Sequence, residues 1–248
     1  MRKISMLLLG ASLGLASCAQ ADPAMADSLM DERIQQVVRS YLLENPEILR
    51  EMSVALQEKE RAEAQALTGA AIRDLEDRIK NDPRDVSLGP EDAKVTLVEF
   101  FDYNCGFCKR STEWLRKTLD THGDDVRVVF KEIPILDRGS DGSSRNAARA
   151  ALAAARQGKY PVLHFSLMNE RALTPERVDA LAEAAGLDMD KFREDMKDPA
   201  IDAHIDANIE LAREIPDLTG TPFFIINDQW LSGADSEKLD AILAQELG

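Results

Sequence analysis

The sequence predicts an α/β domain that is interrupted by a helical insertion and preceded by an α-helical region. Three observations support this fold class. A short apolar run, a helical stretch and a second apolar run follow one another between residues 94 and 133, which is the order of a βαβ unit. A long helical pattern then covers residues 143–213, and the chain ends with two short strands and a helix. At 248 residues the chain has room for one domain of ordinary size and a smaller region.

The first residues have the pattern of an export signal. Arg2 and Lys3 precede an apolar run from Ile4 to Ala16, and small residues follow from Ser17 to Ala21. The apolar run is too short and wrongly flanked for a permanent membrane span. We therefore expect residues 1–21 to direct export of the chain.

Two ways of cutting this signal remain open. Ala19-Gln20-Ala21 fits ordinary signal-peptidase cleavage before Asp22. Leu15-Ala16-Ser17-Cys18, in contrast, resembles the lipobox of bacterial lipoproteins, in which the cysteine carries lipid. Because Cys18 is either removed or lipidated, the folded domain is expected to contain two cysteines, Cys105 and Cys108.

Residues 27–82 are predicted to form a helical N-terminal region. Its apolar residues recur at helical spacing, Asn45-Pro46 marks the start of a second helix, and Asn81-Asp82-Pro83 ends the helical pattern. The apolar stripes are too narrow to form a core of their own, so they must pack on another surface. The region is thus either an arm folded onto its own domain or an oligomerisation stalk that packs against other copies of the chain.

A buried β-strand is predicted from Val95 to Phe101, because the run is almost continuously apolar. A helix follows from about Cys105 to Leu119, and a second strand, rich in β-branched residues, from Val126 to Ile133. The helical insertion, about residues 141–213, comes next. Pro222 to Ile226 and a short run ending at Leu231 are predicted to be strands, and a last helix ends at Leu247.

The segment Cys105-Gly106-Phe107-Cys108 lies between the buried strand and the following helix. A helix N-terminus presents unpaired N–H groups and partial positive charge, which stabilise a thiolate. Cys105 is therefore expected to have a lowered pKa and to act as the nucleophile. Cys108, one turn later, is placed to attack the resulting mixed disulfide.

Two other roles for these cysteines are less consistent with the sequence. A zinc site lacks partners, because there is no second C-x-x-C and the three histidines, at positions 122, 164 and 204, show no ligand spacing. A structural disulfide that closes so few residues constrains the unfolded chain little. The sequence therefore predicts a redox-active pair and no metal centre. The formal net charge of −15 argues against nucleic acid as a partner.

The residues from Phe100 to Lys109 resemble the active-site segment of the DsbA-type thioredoxin superfamily, and Thr221-Pro222 resembles the cis-proline loop of that family. The resemblance covers about residues 86–248 and implies a thioredoxin fold with a helical insertion. Leu43 to Ile48 resembles the N-terminal region of ScsC-like (suppressor of copper sensitivity) proteins. This branch includes trimeric disulfide isomerases, so the resemblance implies a homotrimer.

The resemblance also implies roles for Glu99, Thr221 and Pro222, and Phe107 is a further candidate for substrate binding. Glu99 corresponds to a carboxylate that is buried beneath the cysteines and helps to move the proton of the second thiol, and burial would raise its pKa. The alternative is a glutamate at a strand end that faces water. A cis bond at Pro222 would turn the Thr221 backbone toward an extended substrate, whereas an ordinary proline at the start of a strand would not. Phe107 would offer an apolar contact to unfolded substrates.

The two residues between the cysteines bear on the direction of the reaction. Strong oxidases of the resembled family carry a histidine there, whereas Gly106-Phe107 provides no positive charge. The pair should therefore be less oxidising, which favours a disulfide isomerase or reductase over a DsbA-like dithiol oxidase. A copper-binding envelope protein that uses the same thiolates is an alternative of another class.

The expected partners are unfolded or misfolded exported proteins and a membrane redox partner. The expected location is the periplasm, either as a soluble protein or as one anchored by lipid.

Overall fold

The computed structural model describes residues 23–137 and 142–248. The predicted signal peptide and the lipidation of Cys18 therefore lie outside the described residues. Contacts divide the chain into two compact units, Met1–Lys59 and Glu60–Gly248. The predicted N-terminal region, residues 27–82, extends past this division.

The first unit is helical in its described part. It contains α1 (Pro23–Glu44) and the beginning of α2 (Glu47–Asp74), which continues into the second unit. Ten large apolar side chains from residue 30 to 56 are between 48% and 71% exposed: Met30, Ile34, Val37, Val38, Tyr41, Leu43, Leu49, Met52, Val54 and Leu56. Within the described part of the chain, none of the helices has the length and hydropathy to cross a membrane.

The second unit combines one sheet with helices on both faces. After α2 its elements are α3 (Glu76–Lys80), β1 (Val86–Leu88), β2 (Val95–Phe101), α4 (Gly106–His122), β3 (Val126–Glu132), α5 (Ser143–Ala155), α6 (Tyr160–Asn169), α7 (Pro175–Ala184), α8 (Met189–Asp195), α9 (Pro199–Arg213), β4 (Phe223–Ile226), β5 (Gln229–Ser232) and α10 (Ser236–Leu247). The predicted α/β fold class and the predicted helical insertion, here α5 to α9, are confirmed.

The five strands lie in the order β1-β3-β2-β4-β5. The central pair, β2 and β3, is parallel, as a βαβ unit requires, and the other three pairings are antiparallel. The edge strand β1 was not predicted from the sequence. It has only three residues, and these pair with Val128 to Phe130, so no periodic pattern marks it.

The sheet separates two hydrophobic cores because alternate residues of a strand point to opposite faces. On one face, Leu97 and Phe101 pack with residues of α4, the insertion and α10. On the other face, Val98 and Phe100 pack with Ile72 of α2, Ile79 of α3 and residues of α9. The end of α2 and α3 therefore contribute Ile72 and Ile79 to the core of the second unit.

Candidate active site

The two cysteines lie at the point where the loop that follows β2 leads into α4. Cys105 occupies the N-cap position of α4 in an extended conformation (φ −73°, ψ 116°), and Cys108 lies in the first turn. Both cysteines are free thiols. Cys105 is 7% exposed and Cys108 is fully buried. The nucleophile predicted from the sequence is thus the more accessible of the two sulfurs.

The surroundings of Cys105 stabilise its thiolate and lower its pKa to about 5. The largest cause is the hydrogen bond from the Cys108 side chain, and a hydrogen bond from Thr221 contributes further. The backbone N–H groups of Phe107 and Cys108, at the start of α4, also stabilise the negative charge, whereas burial opposes it. At neutral pH Cys105 is therefore a thiolate.

Burial raises the pKa of Cys108, and this effect is larger than any other on that thiol. Its hydrogen bond to Cys105 and the nearby charge of Glu99 raise the pKa further. Cys108 therefore holds its proton at neutral pH, and a base must take up this proton before the sulfur can act as a nucleophile.

The side chain of Glu99 is buried beneath the cysteines and is 1% exposed. Glu99 lies in the middle of the sheet, opposite Phe130 of β3 and Phe224 of β4. Burial raises the pKa of Glu99 to about 8, the Ser111 hydroxyl lowers it, and the Cys105 charge raises it. This placement excludes the alternative of a glutamate that faces water at a strand end.

Ser111 is a site residue that the sequence analysis missed. Its hydroxyl lies 3.3 Å from Glu99 Oε1 and 3.0 Å from the backbone oxygen of Cys108. It follows Cys108 by three residues on α4 and therefore faces the same side of the helix. This spacing is the one sequence signal that would have indicated it.

The loop before β4 contacts the nucleophile. The Thr221–Pro222 peptide bond is cis, as the resemblance implied. Cys105 Sγ lies 3.2 Å from the backbone oxygen of Thr221, to which it donates when protonated. Phe107 is 56% exposed, and the Arg110 guanidinium lies 4.1 Å from the centre of its ring.

Asp102 is a second residue that the sequence analysis missed. It is 1% exposed and accepts hydrogen bonds from Asn104 N (2.7 Å), Leu136 N (2.9 Å) and Ser144 Oγ (2.6 Å). These bonds hold the segment that leads to Cys105 against α5 and against the loop after β3. An aspartate that binds the backbone N–H two residues later forms an Asx turn, which is a recognisable but weak sequence signal.

Among the described residues there is no group of three or more His, Cys, Asp or Glu side chains that could hold a metal ion. His164 is buried among aromatic rings, with Nδ1 2.9 Å from the Tyr103 hydroxyl. His204 instead contacts Asp85, at 3.2 Å. The structure thus brings Glu99, Cys105, Cys108, Thr221 and Pro222 together, whereas the histidines lie outside this group.

Comparison with known proteins identifies two matching regions. Residues 96–243 match the model of the DSBA-like thioredoxin domain. Residues 32–63 match the model of the N-terminal domain of the copper resistance protein ScsC. The first match covers β2 to α10 and includes every residue of the candidate site.

Two solved structures are similar over most of the chain. A thioredoxin-like oxidoreductase from Silicibacter pomeroyi is 36% identical, with a TM-score of 0.62, over 69% of this chain and 98% of the other. Proteus mirabilis ScsC in a transitional conformation is 30% identical, with a TM-score of 0.63, over 88% of this chain and 94% of the other.

The curated relatives that match are much longer proteins. The Na(+)/H(+) antiporter NhaA of Herminiimonas arsenicoxydans is 35% identical over 159 residues, which are 62% of this chain and 24% of the relative. The match thus spans about a quarter of the length of the curated relatives.

Proposed function

Because this chain belongs to the family of DSBA-like thioredoxin domains, we propose that it is a periplasmic thiol–disulfide oxidoreductase that reduces or rearranges disulfides of exported proteins. The observation that carries the proposal is the pairing of a Cys105 thiolate with a buried, protonated Cys108 above Glu99.

The reaction begins with the Cys105 thiolate. It attacks one sulfur of a client disulfide, and a mixed disulfide forms as the other client sulfur leaves as a thiolate. In isomerisation, a client thiolate attacks the mixed disulfide and releases Cys105 unchanged. In reduction, Glu99 takes the Cys108 proton, and Cys108 attacks Cys105. This second route yields the Cys105–Cys108 disulfide and a client with both of its sulfurs reduced.

The two residues after Cys105 support isomerase or reductase activity over oxidase activity, whereas the pKa of Cys105 does not distinguish these activities. A stabilised thiolate favours the reduced form of the pair and so makes the disulfide more oxidising. The pKa of about 5 for Cys105 lies between those of thioredoxin, about 7, and of DsbA, about 3.5. Gly106 and Phe107 add no positive charge to lower it further.

Client binding is proposed at the loop that contains the cis bond and at Phe107. The Thr221 backbone lies against Cys105 and is suited to pair with an extended client segment as an added strand does. Phe107 is exposed beside the nucleophile and offers an apolar surface to unfolded chains.

The proposal predicts more isomerase than oxidase activity. We expect the protein, kept reduced by a membrane redox partner in the cell and by dithiothreitol in the test, to restore activity to scrambled ribonuclease. We expect slower oxidation of reduced ribonuclease by the disulfide form. Both assays are run on the same preparation, with Cys105→Ala as the inactive control. Faster oxidation than rearrangement would indicate a dithiol oxidase.

Copper binding is a second candidate function. It is supported by two adjacent free thiols and by the match of residues 32–63 to a copper resistance family. Such a protein would bind Cu(I) stoichiometrically and would show little turnover of disulfides. Inertness in both ribonuclease assays, together with Cu(I) binding that is lost in Cys105→Ala, would favour this function.

The exposed apolar side chains of α1 and α2 support the proposal that residues 23–59 join several copies of the chain, as in a homotrimer. We expect the fragment Glu60–Gly248 to remain folded, since both hydrophobic cores lie within it, and to be a monomer. Light scattering on the full chain and on the fragment measures the subunit number. Equal subunit numbers in the two proteins would contradict the proposal.

A matched pair of variants tests the apolar stripe in the full chain. Ile34 is 53% exposed, and Ile34→Glu places a charge in the proposed contact, so we expect it to lower the subunit number. Gln35→Glu adds the same charge to the neighbouring position, where the side chain is already polar, and should leave the assembly intact.

A further inference from the structure

We propose that a cavity beside Cys105 is a second client subsite, which binds an uncharged side chain and the adjoining main chain of an extended client segment. The inference rests on the proposed function and extends it. The cavity, here named the Asn104 pocket, has a volume of about 610 Å³, and its lining includes Asn104, Ser143, Asn146, Ala172, Leu173 and Pro175. This volume is in the range of about 300–1,000 Å³ that ligand sites in proteins have.

Asn104, which lines the pocket, connects the pocket to the reaction centre. Asn104 directly precedes Cys105, and Asp102 holds the backbone N–H of Asn104 at 2.7 Å. The Asn104 side chain donates to Ser143 Oγ (2.7 Å) and to Ser144 Oγ (2.9 Å), both at the start of α5. The wall of the pocket is therefore held at a fixed position relative to the nucleophile.

The same hydrogen bonds determine what the pocket can offer to a client. Asn104 uses both N–H groups of its amide as donors, so Oδ1 is the group with which it can accept a bond from a client N–H. Ser143 Oγ accepts the Asn104 bond, so its own O–H can donate to a client carbonyl. A peptide main chain presents one such donor and one such acceptor in each residue.

The remaining lining favours an uncharged side chain. Leu173, Ala172 and Pro175 give apolar walls. Arg149, which also lines the pocket, has its Nε 2.9 Å from Asp202 Oδ1, and this contact balances its charge. A charged client group would lose water in the pocket without gaining an opposite charge.

Asn104 in the wall of the pocket and Thr221 both lie next to Cys105, Asn104 in sequence and Thr221 through its backbone oxygen, which is 3.2 Å from Cys105 Sγ. A strand advances about 3.3 Å per residue. A client segment that pairs with Thr221 beside Cys105 therefore reaches past the nucleophile and the adjacent Asn104 within a few residues. The Thr221 loop and the Asn104 pocket would then bind successive parts of one segment.

The test fills the pocket and compares two disulfides. Ala172 lies in an exposed loop, and Ala172→Trp places an indole in the cavity without changing any residue assigned to the reaction. The substrates are bis(2-hydroxyethyl) disulfide, which is too small to span the two places, and a disulfide-linked dimer of Gly-Ser-Val-Cys-Val-Ser-Gly. Thr121→Trp is the control, because Thr121 lines another groove, between α4 and α10.

We expect Ala172→Trp to lower kcat/KM for the peptide about tenfold, the size of effect that blocking one good contact site has. We expect it to leave reduction of the small disulfide unchanged, and Thr121→Trp to change neither rate. Asn146→Trp fills the same pocket from α5. This variant replaces Ala172→Trp in the test if Ala172→Trp does not fold. An unchanged peptide rate, or an equal fall for both disulfides, would overturn the subsite. If the wild-type protein reduced neither disulfide, the proposed function itself would fail.

Discussion

Replacing Cys105 with serine is expected to lower disulfide exchange by about a thousandfold or more, because the described residues contain no other thiolate at neutral pH that could attack a client disulfide. Cys108→Ser is expected to behave differently. Cys105 can still attack, but the step that releases the client by forming the Cys105–Cys108 disulfide is lost. Mixed disulfides should therefore accumulate with Cys108→Ser and be absent with Cys105→Ser, as measured by non-reducing electrophoresis after incubation with scrambled ribonuclease.

The pH dependence of alkylation tests the same assignment. The pKa of Cys105 is lowered, so its thiolate is present above about pH 5 and is lost as the pH falls through that value. The alkylation rate of Cys105 by iodoacetamide, followed in the reduced wild-type protein by mass spectrometry, should therefore rise to a plateau with a midpoint near pH 5. Burial keeps Cys108 protonated, so alkylation of Cys105→Ser should stay slow at neutral pH. Faster alkylation of Cys108 than of Cys105 would reverse the two roles.

Glu99→Gln is expected to slow resolution of the mixed disulfide about a hundredfold at neutral pH, the usual contribution of positioned proton transfer. The amide has nearly the shape of the acid, so the packing between β3 and β4 should survive, but it cannot accept the Cys108 proton. In the mixed disulfide Cys105 carries no charge. One cause of the raised pKa of Glu99 is then removed, and the carboxyl ionises more readily when a base is needed.

The rate difference should depend on pH. The pKa of Glu99, about 8 beside the Cys105 thiolate, is lower in the mixed disulfide, so resolution in the wild-type protein should speed up as the pH rises toward this lower value. Above it, hydroxide can deprotonate Cys108 unaided, and the two proteins should converge. Stopped-flow measurement across pH tests this, with Glu113→Gln as the control because Glu113 is exposed on α4. An unchanged rate for Glu99→Gln at neutral pH would mean that Cys108 uses another base.

Stability measurements separate the pKa of Glu99 from its role in the reaction. The folded pKa, about 8, is above the ordinary glutamate pKa of 4.5, so the folded state binds the proton more tightly than the unfolded state. The wild-type protein should therefore lose more stability than Glu99→Gln as the pH rises from about 4.5 to 8, because buried Glu132 contributes the same pH dependence to both proteins. The difference in free energy of unfolding should favour the variant by an amount on the order of a few kcal/mol at pH 9. A constant difference would show that Glu99 is not buried as a neutral acid.

Much of the fold could be predicted from local patterns alone. The apolar run of β2, the β-branched run of β3 and the breaks of the insertion at residues such as Gly158 and Gly186 are visible in the sequence, because periodicity and turn residues act over a few neighbours. The position of Cys105 at the start of α4 followed from the order strand, loop, helix. The local pattern did not reveal β1, since three residues at a sheet edge carry no period of their own.

The residues themselves predict which groups react, because a thiol pair at the start of a helix indicates a nucleophile and its partner. Only the tertiary structure decided the protonation of these groups. Glu99 has a raised pKa because sheet and helix exclude water around it, and Cys105 has a lowered one because Cys108 and Thr221 donate to it. Ser111, Asp102 and the core residues Ile72 and Ile79 gain their roles in the same way, from contacts with distant parts of the chain. Burial and hydrogen bonding depend on which distant segments of the chain come together in space. The spacing of residues along the sequence does not show which segments these are.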